Sequence, residues 1–258
     1  MLFLLSPAKS LDYESPLPAD LPYSLPVFTT QTTELIEVLR KLAPQDIASL
    51  MSISDKLAAL NVARYAAWTP QYTADNSRQA LLAFNGDVYE GLSAATLSAE
   101  DLQWTQEHVC MLSGLYGVLR PLDRMQPYRL EMGTRLATAH GSNLYQFWGT
   151  QIAEYLNMRQ SSAVEPVVVN LASQEYFKSV DCKHLKARII ECVFEDFKDG
   201  KYKIISFYAK RARGLMARFA IEQRVTHPEQ LQAFDREGYA YAPEVSDSGR
   251  WVFRRSTL

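Results

Sequence analysis

The sequence predicts an α+β fold. A single mixed domain has a helical N-terminal half carrying a helix-hairpin-helix element, and a mixed β-sheet whose hairpins come mainly from the C-terminal half. Three observations predict it. Apolar residues recur at helical spacing between Leu35 and Met158, short β-branched and aromatic runs alternate with turn signals from Val167 onward, and no repeat, low-complexity tract or linker divides the 258 residues. One domain over residues 1–258 is the economical reading.

The elements follow in order. Leu2 to Leu5 is a short buried strand ended by Ser6-Pro7. Residues 12–28 carry Pro16, Pro18, Pro22 and Pro26 and must run as an extended, ordered loop, because proline lacks the N–H that a helix or a central strand needs. Leu35, Val38, Leu39 and Leu42 mark a helix that Ala43-Pro44 closes while opening the next one. Further helices are expected over Pro44 to Met51, Lys56 to Trp68, Ala74 to Phe84, Ala99 to Leu112 (Ser98 as N-cap, Asp101 three residues on) and Asn143 to Met158. Strands are expected over Val167 to Leu171, Arg188 to Phe197 and Tyr202 to Tyr208, the last two joined through Asp199-Gly200, a hairpin signal. A helix from Arg211 to Val225 follows, and Gly238 to Tyr241 with Trp251 to Phe253 frame a last hairpin.

Composition narrows the function classes. With 47% hydrophobic and 22% charged residues the chain is neither disordered nor fibrous. Its apolar runs fall far short of the ~20 residues that cross a bilayer, and three scattered cysteines make no disulfide framework, so a cytoplasmic protein without membrane contact is expected. The net charge of −2 hides an asymmetry: residues 178–224 hold 12 Lys or Arg against 6 Asp or Glu, giving +6 there and −8 elsewhere. A basic stripe on an acidic body suits nucleic acid, a nucleotide or another phosphorylated ligand.

Two stretches sharpen this. Leu50 to Ala58 resembles a helix-hairpin-helix element in which Ser52-Ile53-Ser54 replaces the usual Gly-apolar-Gly centre. Such a hairpin aims backbone N–H groups at a phosphate, and easing the turn with glycine at Ser54 is expected to be tolerated. On the helix after Lys210, Ala212, Leu215, Met216 and Phe219 form an apolar arc, with Arg211 and Arg218 on one shoulder and Arg213 and Arg224 on the other. Arg120 lies within the run Ser113 to Asp123, which carries two glycines and a proline, and Arg124, Arg129 and Arg135 follow it.

Ser6-Pro7-Ala8-Lys9, the Ser113 to Asp123 run, Pro127 to Gly133, Asn170 to Lys178 and Ile205 to Gly214 together resemble the YaaA family of bacterial peroxide-stress proteins, over nearly the whole chain. The resemblance implies a cytosolic protein that limits unincorporated iron and the oxidative damage it causes, with a helix-hairpin-helix element and a positive cleft suited to double-stranded DNA, bent or damaged duplexes among them. Carried over residue by residue, it places the hairpin at Ser52 to Lys56, with Ser52, Ser54 and Lys56 as contacts. The cleft falls to Lys9, Arg120, Lys178, Lys210, Arg211 and Arg213. Arg218, on the same helix, is a further DNA-binding candidate.

No cofactor or metal is expected. The four histidines, His108, His140, His184 and His227, form no Glu-x-x-His pair, and there is no Cys-x-x-Cys; His108 and Cys110 would point about 200° apart on a helix. A nucleophile elbow, a P-loop and a dinucleotide fingerprint are also missing. A DNA-binding stress protein is preferred over the alternative, an enzyme acting on a nucleotide or other small anion with Lys9, Tyr176, Lys178 and Lys210 gathered in a pocket.

Overall fold

The computed structural model describes residues 1–18 and 20–256. Its centre is the strand Leu2–Leu5, an unbroken apolar run with every side chain buried, as a parallel strand covered on both faces requires. Val109–Ser113 lies parallel on one side, with Phe3 opposite Val109, and Val167–Leu171 parallel on the other, with Leu2 opposite Val168. The sheet continues through Arg188–Lys198 and Arg250–Arg255, both parallel to their inner neighbours, and ends in the antiparallel edges Ala240–Tyr241 and Gly117–Leu119. Lys201–Lys203 folds back on Arg188–Lys198 through Asp199 and Gly200, whose φ angles of 55° and 78° are those of the tight turn that matches strand twist.

The α+β architecture is as expected, but several boundaries differ. The expected helix Ala74 to Phe84 is instead a two-residue strand Arg78–Gln79 on Arg124–Met125, one helical turn Ala80–Ala83 and a strand Phe84–Asn85 on Ser10–Leu11. The helix opened by Ser98 stops at His108, and Val109–Ser113 turns into a central strand because its five side chains are needed to fill the interior. The helix expected over Asn143 to Met158 breaks at Gly149, where φ is 48°. Tyr202 to Tyr208 is a strand only over Lys201–Lys203, and the long helix already begins at Ser206 and runs to Glu222. The proline-rich segment is tied down as expected: Ser24 exchanges backbone hydrogen bonds with Leu122 and Arg124, and the buried Arg78 donates to the Ser15 carbonyl at 2.6 Å.

Pro44–Met51 and Asp55–Ala67 form a helical hairpin joined by Ser52, Ile53 and Ser54. Ser52 takes the left-handed conformation (φ 51°, ψ 52°), whereas Ser54 is extended (φ −65°, ψ 154°) and caps the second helix by accepting from the Leu57 N–H. The strained position is therefore Ser52, not Ser54. Ser52→Gly should raise unfolding free energy by about 1 kcal/mol in a urea titration, the usual penalty of a non-glycine residue in that region.

Glycines also set the tightest contact between helices. Asp87–Leu92 crosses Ser206–Glu222 with the backbones touching: a Cβ on Gly214 would lie 1.8 Å from the Val88 carbonyl oxygen, and one on Gly91 would lie 2.3 Å from that of Arg211.

Candidate functional site

A crevice of about 440 Å³ opens at the carboxyl ends of Leu2–Leu5 and Val167–Leu171. From the central strand the chain next enters the sheet on one side, at Val109–Ser113, and later on the other, at Val167–Leu171. The connections that leave these two paired strands run to opposite sides of the sheet, which is the usual place for a ligand in an open parallel sheet. The Ser173 N–H donates to Ser6 Oγ at 2.8 Å and the Tyr89 hydroxyl donates to the Ser6 carbonyl at 2.9 Å, tying the two strand-end loops and the helix Asp87–Leu92 into one rim.

Three cations line the crevice. Lys9, on the loop after the first strand, pairs with Glu131 at 3.1 Å, and Glu131 also takes Arg129 at 2.9 Å. Lys210, on the long helix, stands 3.9 Å from Asp87. Arg213, one turn further along, has no acidic partner among the described residues, and its Nε is shielded from solvent without an acceptor. Burial pulls its guanidinium below the ordinary arginine value, partly offset by the nearby Glu191 carboxylate. Glu175 accepts from the Gly133 N–H through Oε1, at 2.9 Å. Tyr89 and Tyr176 form buried walls, and burial raises both phenols well above their usual value.

A family model described as "Peroxide stress protein YaaA" matches residues 1–245. The chain belongs to that family. Proteins called UPF0246 are close relatives: one from Delftia acidovorans is 70% identical, covering 100% of this chain and 99% of its own. Relatives from Paracidovorax citrulli and Albidiferax ferrireducens are 69% and 65% identical, each covering 99% of this chain and 98% of its own.

The structure thus brings Lys9, Lys210 and Arg213 together with Tyr176, and distributes the other candidates elsewhere. Arg211 is held by Glu237 through Nε and Nη2, at 2.9 and 2.6 Å. Arg218 donates to Glu222 at 2.6 Å and to Thr96 at 2.7 Å, and Arg224 pairs with Asp101 at 2.6 Å. Arg120 clasps the wholly buried Asp123. Lys178 lies 4.8 Å from the ring centre of Tyr145 and lines a neighbouring hollow with Asn170 and Glu191. Much of the basic stripe is therefore neutralised within the fold, leaving little free charge on the arginine helix.

Ser52, Ser54 and Lys56 are exposed on the hairpin and do not line the crevice. A wider groove of about 830 Å³ runs along the hairpin's second helix, lined by Tyr13, Leu60, Arg64 and Trp68. Arg64 has no acidic partner among the described residues, and Asn85 lines both groove and crevice, so the two are adjoining. Sequence reasoning missed Asp87, Glu131 and Glu175, because an anionic ligand directs attention to cations rather than to acids; two of them stand inside the family-like runs Pro127 to Gly133 and Asn170 to Lys178.

No three His, Cys, Asp or Glu side chains gather as metal ligands among the described residues. Burial pushes the Cys110 thiol up to about 11 and that of Cys192 up to about 12, and Cys182 is raised as well. A thiolate is the form that attacks peroxide, so the burial and raised thiols of Cys110 and Cys192 disfavour that reaction at these two positions. No helix among the described residues is long and apolar enough to cross a membrane.

Proposed function

We propose that this peroxide-stress protein binds double-stranded DNA in the cytoplasm and limits iron-linked oxidative damage there, with the helical hairpin and the groove beside it as the contact surface. One observation carries the reading. The turn Ser52-Ile53-Ser54 leaves the N–H groups of the exposed residues Ser54, Asp55 and Lys56 without an acceptor among the described residues, at the start of a 13-residue helix. Successive free N–H groups at a helix start suit a phosphate oxygen and read charge and shape rather than sequence. Ser52 adopts the left-handed conformation that glycine supplies in a Gly-apolar-Gly centre, so the serine substitution keeps the path of the chain. Lys56 and Arg64 add charge not committed to any acid among the described residues.

Ser54→Pro tests this sharply. The native φ of −65° is proline's own, and the N–H removed has no partner in the fold, so the variant should keep its circular dichroism and lose only a weak cap. Its affinity for a 20-base-pair duplex should fall while the slope of log K against log salt stays near the parent value, because the lost N–H is neutral and the slope counts phosphates neutralised by charged side chains. Parent affinity in folded Ser54→Pro protein would remove the hairpin from the interface.

A further inference from the structure

The crevice contains a cation that the fold does not use. Lys9 and Lys210 face Glu131 and Asp87, but Arg213 is held half-buried with its Nε unpaired. A buried guanidinium without a partner is costly, and polar groups left unsatisfied inside a cleft mark places where a ligand completes the pairing. We propose that the crevice is a binding site for a nucleoside monophosphate unit, with its single phosphate on Arg213 and Lys210 and its base between the tyrosine walls and the Glu175 carboxylate.

Size, charge and chemistry converge on that class. The volume of about 440 Å³ exceeds what inorganic phosphate fills and falls within the range of small-ligand pockets. Asp87, Glu131 and Glu175 also line the crevice, so the added charge of a di- or triphosphate would meet more repulsion than a single phosphate does. One uncommitted cation calls for one anionic group. Glu175 spends Oε1 on the Gly133 N–H, and its other oxygen, without a donor among the described residues, can accept from a base amino group or a ribose hydroxyl. Pro7, Ala8 and Val88 supply the apolar surface that a nucleoside, unlike a bare anion, can cover.

The unit has two sources with the same chemistry: a free mononucleotide, or a nucleotide of a strand lying in the adjoining groove, since Asn85 borders both cavities. The experiment titrates AMP, GMP, CMP, dTMP and inorganic phosphate separately into the full chain by calorimetry, and repeats this in Arg213→Gln and in Lys210→Ala, whose side chain is 54% exposed, after circular dichroism shows both variants folded. A mononucleotide should bind more tightly than phosphate, and lose about tenfold in Arg213→Gln and about threefold in Lys210→Ala, as expected for losing charge-assisted hydrogen bonds. A parallel arm measures a duplex carrying one unpaired nucleotide against a fully paired one. If the unit comes from DNA, the unpaired nucleotide raises affinity and Arg213→Gln removes only that increment. Ser54→Pro separates this from the hairpin reading, because it should weaken both duplexes while leaving mononucleotide binding at the parent value. No heat with any mononucleotide and no preference for the unpaired nucleotide would overturn the proposal. So would phosphate binding as tightly as every mononucleotide, or folded Arg213→Gln and Lys210→Ala proteins that bind all probes like the parent.

Discussion

Gly214→Ala should cost about 3 kcal/mol or more of unfolding free energy, because the added methyl meets a backbone carbonyl instead of a side chain that could swing away. The new Cβ would stand 1.8 Å from the Val88 oxygen and 2.9 Å from the Leu92 nitrogen, so the helices Asp87–Leu92 and Ser206–Glu222 must part. Parting them carries Asp87 away from Lys210 and displaces Arg213, which immediately precedes the glycine. Gly200→Ala is the matching control: its φ of 78° also disfavours alanine, but nothing lies within 4 Å of the new methyl, and about 1 kcal/mol is expected. Urea titrations of both variants decide the matter. A Gly214→Ala protein within 1 kcal/mol of the parent, or one no worse than Gly200→Ala, would show that the crossing is not held by backbone contact.

Arg120→Ala should be the second large loss, about 3–5 kcal/mol, the usual cost of leaving one partner of a buried ion pair behind. Asp123 is fully buried and accepts from the Arg120 backbone N–H at 2.7 Å, from its Nη2 at 2.9 Å and from Ser24 Oγ at 2.6 Å. Burial already raises the Asp123 carboxyl above its ordinary value, and Arg120 opposes that rise. A carboxyl raised on folding stabilises the fold only while protonated. Removing the arginine raises it further, so the deficit of Arg120→Ala should be larger at pH 7 than at pH 5. Arg120 had been placed among the DNA contacts, and the two roles are readily told apart by thermal melts at both pH values beside a salt-titrated binding series. A parent-like melting temperature combined with a flattened salt slope would return Arg120 to the interface.

Short-range patterns made much of this molecule legible in its sequence. The Asp199-Gly200 hairpin, the Ser98 cap and the proline-bound loop each follow from a few adjacent residues. Val109–Ser113 was not legible, because a fully buried strand running straight out of a helix has neither alternation nor a breaker, and its apolar residues continue the helical count. The site divides along the same line. Lys210 and Arg213 were visible as part of a stripe, but the neutralisation of that stripe was not: Arg211 meets Glu237 and Lys210 meets Asp87, pairings across 26 and 123 positions that no local spacing announces. Glu131 and Glu175 were in view within conspicuous runs, yet they acquire meaning only when the fold sets them opposite Lys9 and beside Gly133.

The position of Leu2–Leu5 at the middle of the sheet has a consequence for how the protein comes into being. Among the strands of the sheet, the earliest to leave the ribosome must wait longest for company. Its neighbours are Val109–Ser113 and Val167–Leu171, more than a hundred and more than a hundred and sixty positions downstream, and the sheet gains its last parallel member only when Arg250–Arg255 has been translated. Until Val109–Ser113 has been translated, four consecutive apolar residues have no mate, and the loop closures that finally seat them are long and therefore slow. During synthesis the nascent chain is an open template for strand pairing with other chains, and shielding by a chaperone matters most over that interval.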